Sequence, residues 1–278
     1  MHRPTMTYAS LTLADGLQCY RESGRGLAIV LLHGISSCAA SWEPLSEHLP
    51  GYRLLAWDAP GYGDSQPLVS EYPVAADYAR RLAEWLEALG VERCVMVGHS
   101  LGAIIASAFV AAYPERVTGV ILADPAQGYR DAADDKREAV YRARWTQLAE
   151  QGHAAYAVSR APRLLRDDAR EDDISRVRDG MRRLNIAGFT QASWMLANDA
   201  LVRYATDSVR MPLMVLCGDE DRITPPAGAQ ALATRLGAAY RGLPQAGHAS
   251  YIDAPEAFAR AVEKFASGLV ADDERTQP

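Results

Sequence analysis

A serine between two glycines is the residue in this chain whose surroundings most suggest chemistry. It lies in Gly98-His99-Ser100-Leu101-Gly102, which fits the pattern G-x-S-x-G. The run Arg93–Val97 before it is typical of a buried strand, and Leu101–Tyr113 after it is typical of a buried helix. A serine on so tight a strand-to-helix turn holds its hydroxyl above the sheet. Ser100 is therefore the predicted nucleophile.

The predicted base is a histidine near the end of the chain. A serine hydroxyl is a weak nucleophile and needs such a base beside it. Of the six histidines, only His248 lies late and on a loop, after the strand-like run Ala239–Leu243. In a parallel sheet such a loop lies at the same edge as the turn that carries Ser100.

The predicted acid that orients His248 is Asp221. In chain order this carboxylate follows the serine and precedes the histidine. Asp221 does so, on the turn after the strand-like run Pro212–Cys217. Its neighbours Asp219 and Glu220 leave the choice within this turn open, and Asp124, at the end of the preceding strand, is a second candidate position.

Two backbone N–H groups are the predicted oxyanion donors. Negative charge that develops on a carbonyl oxygen needs preorganised donors. The N–H of Leu101, next to the nucleophile, is one of them. The other is the N–H of Ile35, on the turn after His33-Gly34, where the glycine lets the backbone approach closely.

These residues lie at the ends of strands that alternate with helices, which predicts an α/β fold with a mostly parallel twisted sheet of about eight strands. An antiparallel hairpin opens the chain at Thr7–Leu13 and Leu17–Glu22. The other predicted strands are Leu27–Leu32, Arg53–Asp58, Arg93–Val97, Val117–Ala123, Pro212–Cys217 and Ala239–Leu243. The predicted covering helices are Val74–Leu89, Leu101–Tyr113, Ala227–Leu236 and Pro255–Phe265.

One long segment, residues 126–208, has no strand pattern and favours helices. We interpret it as a helical cap inserted in a core formed by residues 1–125 and 209–278. Its aromatic residues, together with two histidines near the predicted strand ends, are candidates for a substrate pocket: His33, His99, Trp145, Phe189 and Trp194. The cap also carries arginines that could meet a substrate carboxylate: Arg142, Arg144, Arg182 and Arg183. For each aromatic residue of the cap, packing against the core is an equally ordinary role, and for each arginine a solvated surface is the more ordinary one.

Composition excludes several partners. The net charge is −6, so no basic surface points to nucleic acid. The longest apolar-rich stretch, Leu101–Tyr113, is too short to span a bilayer, and no partner membrane is expected. The four cysteines are scattered and no His/Cys cluster has ligand spacing, so we expect reduced thiols in a cytoplasmic protein, no metal and no cofactor. A monomer or homodimer is expected.

Together these segments resemble the α/β-hydrolase superfamily over about residues 7 to 267. The resemblance is carried by His33-Gly34, residues 58–65 (Asp-Ala-Pro-Gly-Tyr-Gly-Asp-Ser), residues 98–102, residues 218–221 with Thr224-Pro225, and Gly247-His248. It implies an α/β-hydrolase fold with a cap at 126–208 and the triad Ser100, Asp221 and His248. It implies a structural loop at 58–65. Haloalkane dehalogenases and epoxide hydrolases carry Asp where this chain has Ser100, so the resemblance does not extend to them.

Within the superfamily the chain is similar to bacterial carboxylesterases, 3-oxoadipate enol-lactone hydrolases and meta-cleavage-product hydrolases. C–C hydrolases often have Asn, and enol-lactone hydrolases another residue, where this chain has His99. The expected function is therefore a serine hydrolase that cleaves a small-molecule ester or lactone through an acyl-enzyme. The alternatives are a C–C bond hydrolase of a ring-fission product, a lyase or perhydrolase, and a non-catalytic ligand receptor on the same fold.

Overall fold

The fold is built around one sheet. The computed structural model describes residues 5–205 and 211–276, and within them it forms an eight-stranded sheet in the order β1-β2-β4-β3-β5-β6-β7-β8. The strands are β1 (Thr7–Leu13), β2 (Gly16–Ser23), β3 (Ala28–Leu32), β4 (Arg53–Trp57), β5 (Cys94–His99), β6 (Val117–Ala123), β7 (Leu213–Gly218) and β8 (Ala239–Leu243). The predicted α/β class and the predicted strand count are confirmed.

Strand direction follows the predicted pattern. β1 pairs antiparallel with β2, and β2 pairs antiparallel with β4. From β4 to β8 every pairing is parallel. The loops that follow β3, β5, β6, β7 and β8 therefore meet at one edge of the sheet, because parallel strands end on the same side.

Helices cover both faces of the sheet and extend from its carboxyl edge. The α-helices of the described residues are α1 (Glu43–Ser46), α2 (Ala75–Ala88), α3 (Leu101–Ala112), α4 (Asp134–Arg160), α5 (Glu171–Arg182), α6 (Ile186–Asn198), α7 (Pro226–Arg235), α8 (Ser250–Asp253) and α9 (Pro255–Thr276). Short 3₁₀ turns lie at Ala39–Trp42, Pro114–Arg116, Ala161–Leu164 and Leu201–Arg203.

The core lies between these layers. Every residue of β3 and β5 is buried, which explains why those strands are apolar on both faces. α3 is buried from Leu101 to Val110, as its apolar sequence predicts. The four cysteines are buried and free.

The last helix is longer than predicted. α9 continues past Phe265, its predicted end, to Thr276. Gly119 of β6 explains how α9 packs against the sheet. A Cβ at Gly119 would lie 2.8 Å from Phe265 Cε1 and 2.7 Å from Leu269 Cδ1. The missing side chain leaves room for Phe265 and, one turn further, Leu269, so the contacts of α9 with the strand extend past Phe265.

The described part of the predicted cap contains the helices α4 to α6, and α4 is broken by a kink at Gly152, where φ is 74° and ψ is 161°. These helices pack closely on the core. A Cβ at Gly188 of α6 would lie 2.0 Å from the carbonyl oxygen of Gly61, so the two backbones touch. The amide of Gln191 donates to the carbonyl oxygens of Leu68 and Ser70, both at 2.8 Å. The division into core and cap stays a prediction; its boundaries at residues 1, 208, 209 and 278 lie outside the described residues.

Within residues 5–205 and 211–276, we find no helix both long and apolar enough to cross a membrane.

We expect the sheet to tolerate no side chain at Gly102. A Cβ there would lie 2.3 Å from the carbonyl oxygen of Leu32. Gly102→Ala should therefore lower the free energy of unfolding by about 2 kcal/mol or more, measured by urea denaturation. Gly268→Ala is the matched control, since it is also helical and nothing lies within 4 Å of its Cβ position. It should raise stability by about 0.5–1 kcal/mol. Equal effects of the two changes would contradict this packing.

Candidate active site

Ser100 lies on the turn between β5 and α3 in a backbone conformation that side chains rarely adopt. Its φ is 52° and its ψ is −115°. The flanking glycines make this turn possible. A Cβ at Gly98 would lie 2.4 Å from the carbonyl oxygen of Gly102, so a larger residue there would push β5 away from α3, and one at Gly102 would meet the end of β3. This backbone places the hydroxyl in a cavity at the carboxyl edge of the sheet.

The structure brings Ser100, His248 and Asp221 into one hydrogen-bonded series. His248 Nε2 lies 3.0 Å from Ser100 Oγ, and His248 Nδ1 lies 2.8 Å from Asp221 Oδ2. A carboxylate only accepts, so Nδ1 carries the proton and Nε2 presents its lone pair to the serine hydroxyl. This is the protonation state that a general base needs. All three residues are buried, with 3–6% of their surface exposed.

Asp221 is held as a carboxylate by several donors. Its Oδ1 accepts from the N–H groups of Ile223, at 2.7 Å, and Thr224, at 3.0 Å. Burial raises the pKa of this carboxyl, but the hydrogen bond and charge of His248 and the bonds from Thr224 outweigh it, and the pKa lies below its usual value. Asp221 therefore stays ionised beside the imidazole.

Thr224 was not singled out by sequence reasoning as a contact of the triad. Its hydroxyl donates to Asp221 Oδ2 at 2.7 Å and lies 3.1 Å from His248 Nδ1. It also lies 3.0 Å from the carbonyl oxygen of Asp124. Thr224 therefore connects the loops after β6, β7 and β8. No sequence signal distinguishes such a contact from an ordinary loop hydroxyl.

Asp124, the second candidate for the acid, has other partners. Its Oδ1 accepts from the N–H of Gly218 at 2.8 Å, and its Oδ2 lies 2.5 Å from Ser250 Oγ. The side chain is completely buried, and burial raises its pKa to about 7. Asp124 ties β6 to the loops after β7 and β8, and the imidazole of His248 bonds to Asp221 instead.

The residues that carry the two predicted oxyanion donors line the same cavity as Ser100. Ile35 and Leu101 both line it, and within the described residues neither N–H donates to any acceptor. The Tyr62 hydroxyl donates to the carbonyl oxygen of Ile35 at 2.8 Å and fixes that turn. Gly34 allows the approach, since a Cβ there would lie 3.0 Å from Ser100 Cβ. The predicted structural loop 58–65 thus supports the turn that carries one donor.

His99 lines the cavity and supports His248. Its Nε2 lies 2.7 Å from the carbonyl oxygen of His248, so that nitrogen carries the proton and donates. Burial, together with the charge of His248, lowers the pKa of His99 to about 3, and the ring is neutral. The ring packs edge-on against Tyr251 with centroids 4.9 Å apart. His99 therefore fixes the backbone of the loop that presents the base.

The cavity beside Ser100 has a volume of about 300 Å³. Of the predicted pocket residues, only His99 lines it, and the prediction is wrong for four others. His33 is buried beneath: its Nε2 accepts from the Ala59 N–H at 3.0 Å, and its Nδ1 lies 2.8 Å from the Gly34 carbonyl oxygen. His33 therefore joins the end of β3 to the loop after β4.

The three predicted aromatic residues of the pocket pack elsewhere. Phe189 is fully buried, edge-on against Tyr156 with centroids 5.9 Å apart. Trp194 lies against Tyr72, with centroids 4.5 Å apart, and lines a separate surface hollow. Trp145 is half-buried, 6.1 Å from the ring of Tyr141. These rings pack the α4–α6 helices against one another and against the core, because burial of apolar surface between helices is favourable.

Of the four predicted arginines, only Arg144 lines the cavity. Arg142 pairs with Glu138, and Arg182 pairs with Asp179. Arg183 lines a separate hollow. Two arginines that sequence reasoning passed over, Arg160 and Arg176, also line the cavity. Nothing in their sequence surroundings separates them from solvated arginines.

Three buried groups within the described residues, Asp124, Cys217 and Asp221, have potential metal-ligand atoms within 4.8 Å of one another. Both carboxylates are already used. Asp221 accepts from backbone N–H groups and lies beside His248, and Asp124 binds the Gly218 N–H and Ser250. We therefore assign no metal to this group.

Comparison with known proteins places this geometry in context. A family model described as alpha/beta hydrolase fold matches residues 28–255. The 2-succinyl-6-hydroxy-2,4-cyclohexadiene-1-carboxylate synthase of Serratia proteamaculans is 27% identical over 250 residues, which cover 85% of this chain and 92% of that protein. The 2-hydroxy-6-oxo-6-phenylhexa-2,4-dienoate hydrolase of Comamonas testosteroni is 35% identical over 118 residues, 41% of each chain.

Solved structures share the whole architecture. A thermophilic esterase from Thermogutta terrifontis superimposes with a TM-score of 0.82 at 24% identity, covering 95% of this chain and 99% of that one. The enol-lactonase from Burkholderia xenovorans LB400 also gives 0.82, at 22% identity, over 93% of this chain and 100% of that one. At these identities the likeness establishes the fold.

We predict that substitution of Asp221 slows the labelling of Ser100 far more than substitution of Asp124 does. Asp221→Asn should slow the labelling of Ser100 by a fluorophosphonate probe about 10³–10⁴-fold, because the imidazole loses its orienting charge. In Asp124→Asn the amide can keep both hydrogen bonds, and labelling should stay within about tenfold of the wild type. If Asp124→Asn proved the slower of the two, the assignment of the acid would be reversed.

Proposed function

This chain belongs to the alpha/beta hydrolase family, and on that premise we propose that it is a serine hydrolase that cleaves a carboxylic ester or lactone of a small molecule through an acyl-enzyme. The observation that carries the proposal is the 3.0 Å approach of His248 Nε2 to Ser100 Oγ, with Asp221 2.8 Å beyond the imidazole. A nucleophile, a base and an orienting acid in this order support acyl transfer.

The first half of the reaction forms the acyl-enzyme. The Oγ of Ser100 bonds to the substrate carbonyl carbon as its proton passes to His248 Nε2. Negative charge moves to the carbonyl oxygen, where the N–H groups of Ile35 and Leu101 are available to hold it. The carbonyl re-forms, the bond to the leaving oxygen breaks, and that oxygen takes the proton from Nε2.

The second half repeats these steps with water. A water oxygen bonds to the acyl carbon while His248 Nε2 takes one of its protons. The bond to Ser100 Oγ then breaks, and Oγ recovers the proton. Asp221, held as an anion by backbone N–H groups, stabilises the imidazolium in both halves without taking its proton.

Hydrolysis of a carbon–carbon bond is a second candidate. It is favoured by the 35% identity over 118 residues to a relative named as a dienoate hydrolase. The same three residues would serve, so the triad does not separate the two reactions. Assays with 4-nitrophenyl esters and with a coloured ring-fission diketone distinguish them.

We expect Ser100→Ala to abolish turnover of 4-nitrophenyl butyrate, by at least about 10⁴-fold, because the acyl-enzyme cannot form. Ser107→Ala is the matched control. Ser107 lies in the same helix and its hydroxyl donates to the Ala103 carbonyl oxygen, away from the cavity. The kcat of the Ser107→Ala variant should stay within about threefold of the wild-type value, since a neutral hydrogen bond contributes only about 1 kcal/mol to stability. Undiminished turnover in a folded Ser100→Ala protein would refute the proposal.

A further inference from the structure

The cavity beside Ser100 is positively charged on one side. Three arginines line it: Arg144 and Arg160 at the middle and end of α4, and Arg176 of α5. No Asp or Glu is among its described lining residues. The rest of the wall is largely apolar, with Leu101, Leu164, Val177, Leu196 and Ile252.

These arginines lack the partners that others on the same helices have. Arg142 of α4 pairs with Glu138, and on α5 Arg178 pairs with Glu171 and Arg182 with Asp179. Within the described part of the chain, Arg144, Arg160 and Arg176 have no ion-pair partner and no hydrogen-bond acceptor. The Nε of Arg160 is buried without an acceptor.

Two like charges therefore face one enclosed space. Arg144 and Arg160 are both half-buried. Both line the same cavity, and burial together with the positive charge of Arg160 lowers the pKa of Arg144, while nearby tyrosines act in the opposite direction. A guanidinium stays protonated in proteins, so the charge persists. An anion that enters the cavity would relieve both the repulsion and the lost hydration.

We infer that the substrate carries a carboxylate, which Arg144 and Arg160 bind while Ser100 attacks an ester or lactone carbonyl elsewhere in the same molecule. This inference rests on the proposed hydrolase function. The planar guanidinium matches a carboxylate with two parallel hydrogen bonds, and the apolar remainder of the wall suits a hydrocarbon chain between the two groups.

The test compares two esters of equal length, 4-nitrophenyl hexanoate and the 4-nitrophenyl monoester of adipic acid, which differ in a terminal carboxylate. We expect the wild-type kcat/KM to favour the adipate ester by about 10- to 100-fold, as a charge-assisted hydrogen bond would give. Added sodium chloride should reduce the preference by screening. Adipate itself should inhibit competitively, and inorganic phosphate at the same concentration should not.

Substitutions identify the residues. Arg144→Gln and Arg160→Gln should each lower kcat/KM for the adipate ester at least tenfold more than for the hexanoate ester, mainly through KM. Arg142→Gln is the matched control, since Arg142 lies on the same helix, exposed and outside the cavity, and should leave both values unchanged. Arg144→Lys, which keeps the charge, should retain part of the preference. If a Gln variant does not fold, the wild-type preference and its salt dependence still decide.

The outcomes separate this inference from the proposed function. Equal turnover of both esters by the wild type, or equal losses on both in the Gln variants, would overturn the carboxylate site and leave the hydrolase intact. Stronger inhibition by phosphate than by adipate would also overturn it. If neither ester were hydrolysed, but calorimetry showed adipate binding that Arg144→Gln and Arg160→Gln remove, the anion site would stand and the hydrolase proposal would fail. Absence of both turnover and adipate binding would contradict the anion site and the hydrolase proposal together.

Discussion

The two hydrogen bonds of one imidazole set the constraint on which this site depends. His248 must lie 3.0 Å from Ser100 Oγ on one side and 2.8 Å from Asp221 on the other. The three residues are up to 148 positions apart in the chain. They meet because β5, β6, β7 and β8 are neighbours and parallel, so the loops that follow them leave the sheet at one edge. The strained backbone of Ser100, and the glycines that permit it, bring the hydroxyl up to that edge.

Polar side chains on the two sides of the cavity differ in whether they have hydrogen-bond or ion-pair partners. On the sheet side, Asp221, Asp124 and Thr224 form a network in which the buried oxygens have donors, so the triad is held rigidly. On the helical side, Arg144 and Arg160 have no described partner. Both guanidinium groups are half-buried, and removing a charge from water without a partner is costly. This contrast supports the inference that the sheet side holds the reactive groups and the helical side binds a ligand.

The family relation and the residues of the cavity wall answer different questions. The fold is shared over 93–95% of the chain with proteins named as an esterase and an enol-lactonase, at 22–24% identity. Such a framework supports several chemistries, so it does not specify a substrate. The helices α4 and α5 contribute Arg144, Arg160 and Arg176 to the cavity wall, and the carboxylate site that we infer lies there.

The sequence by itself determined the sheet, and it indicated Ser100, Asp221 and His248 as the candidate nucleophile, acid and base. Strand runs and the turn around Ser100 are local patterns, set by burial on both faces and by glycine at two fixed positions. The choice between Asp221 and Asp124 needed the tertiary structure, since both follow strands of the same edge and only the loop path decides which one the imidazole meets. The positions of the residues in the predicted cap depended most on the tertiary structure. Phe189 and Trp194 pack away from the cavity while Arg160 lines it. The sequence does not predict this, because α4 has no clear apolar face and α6 is apolar around much of its surface.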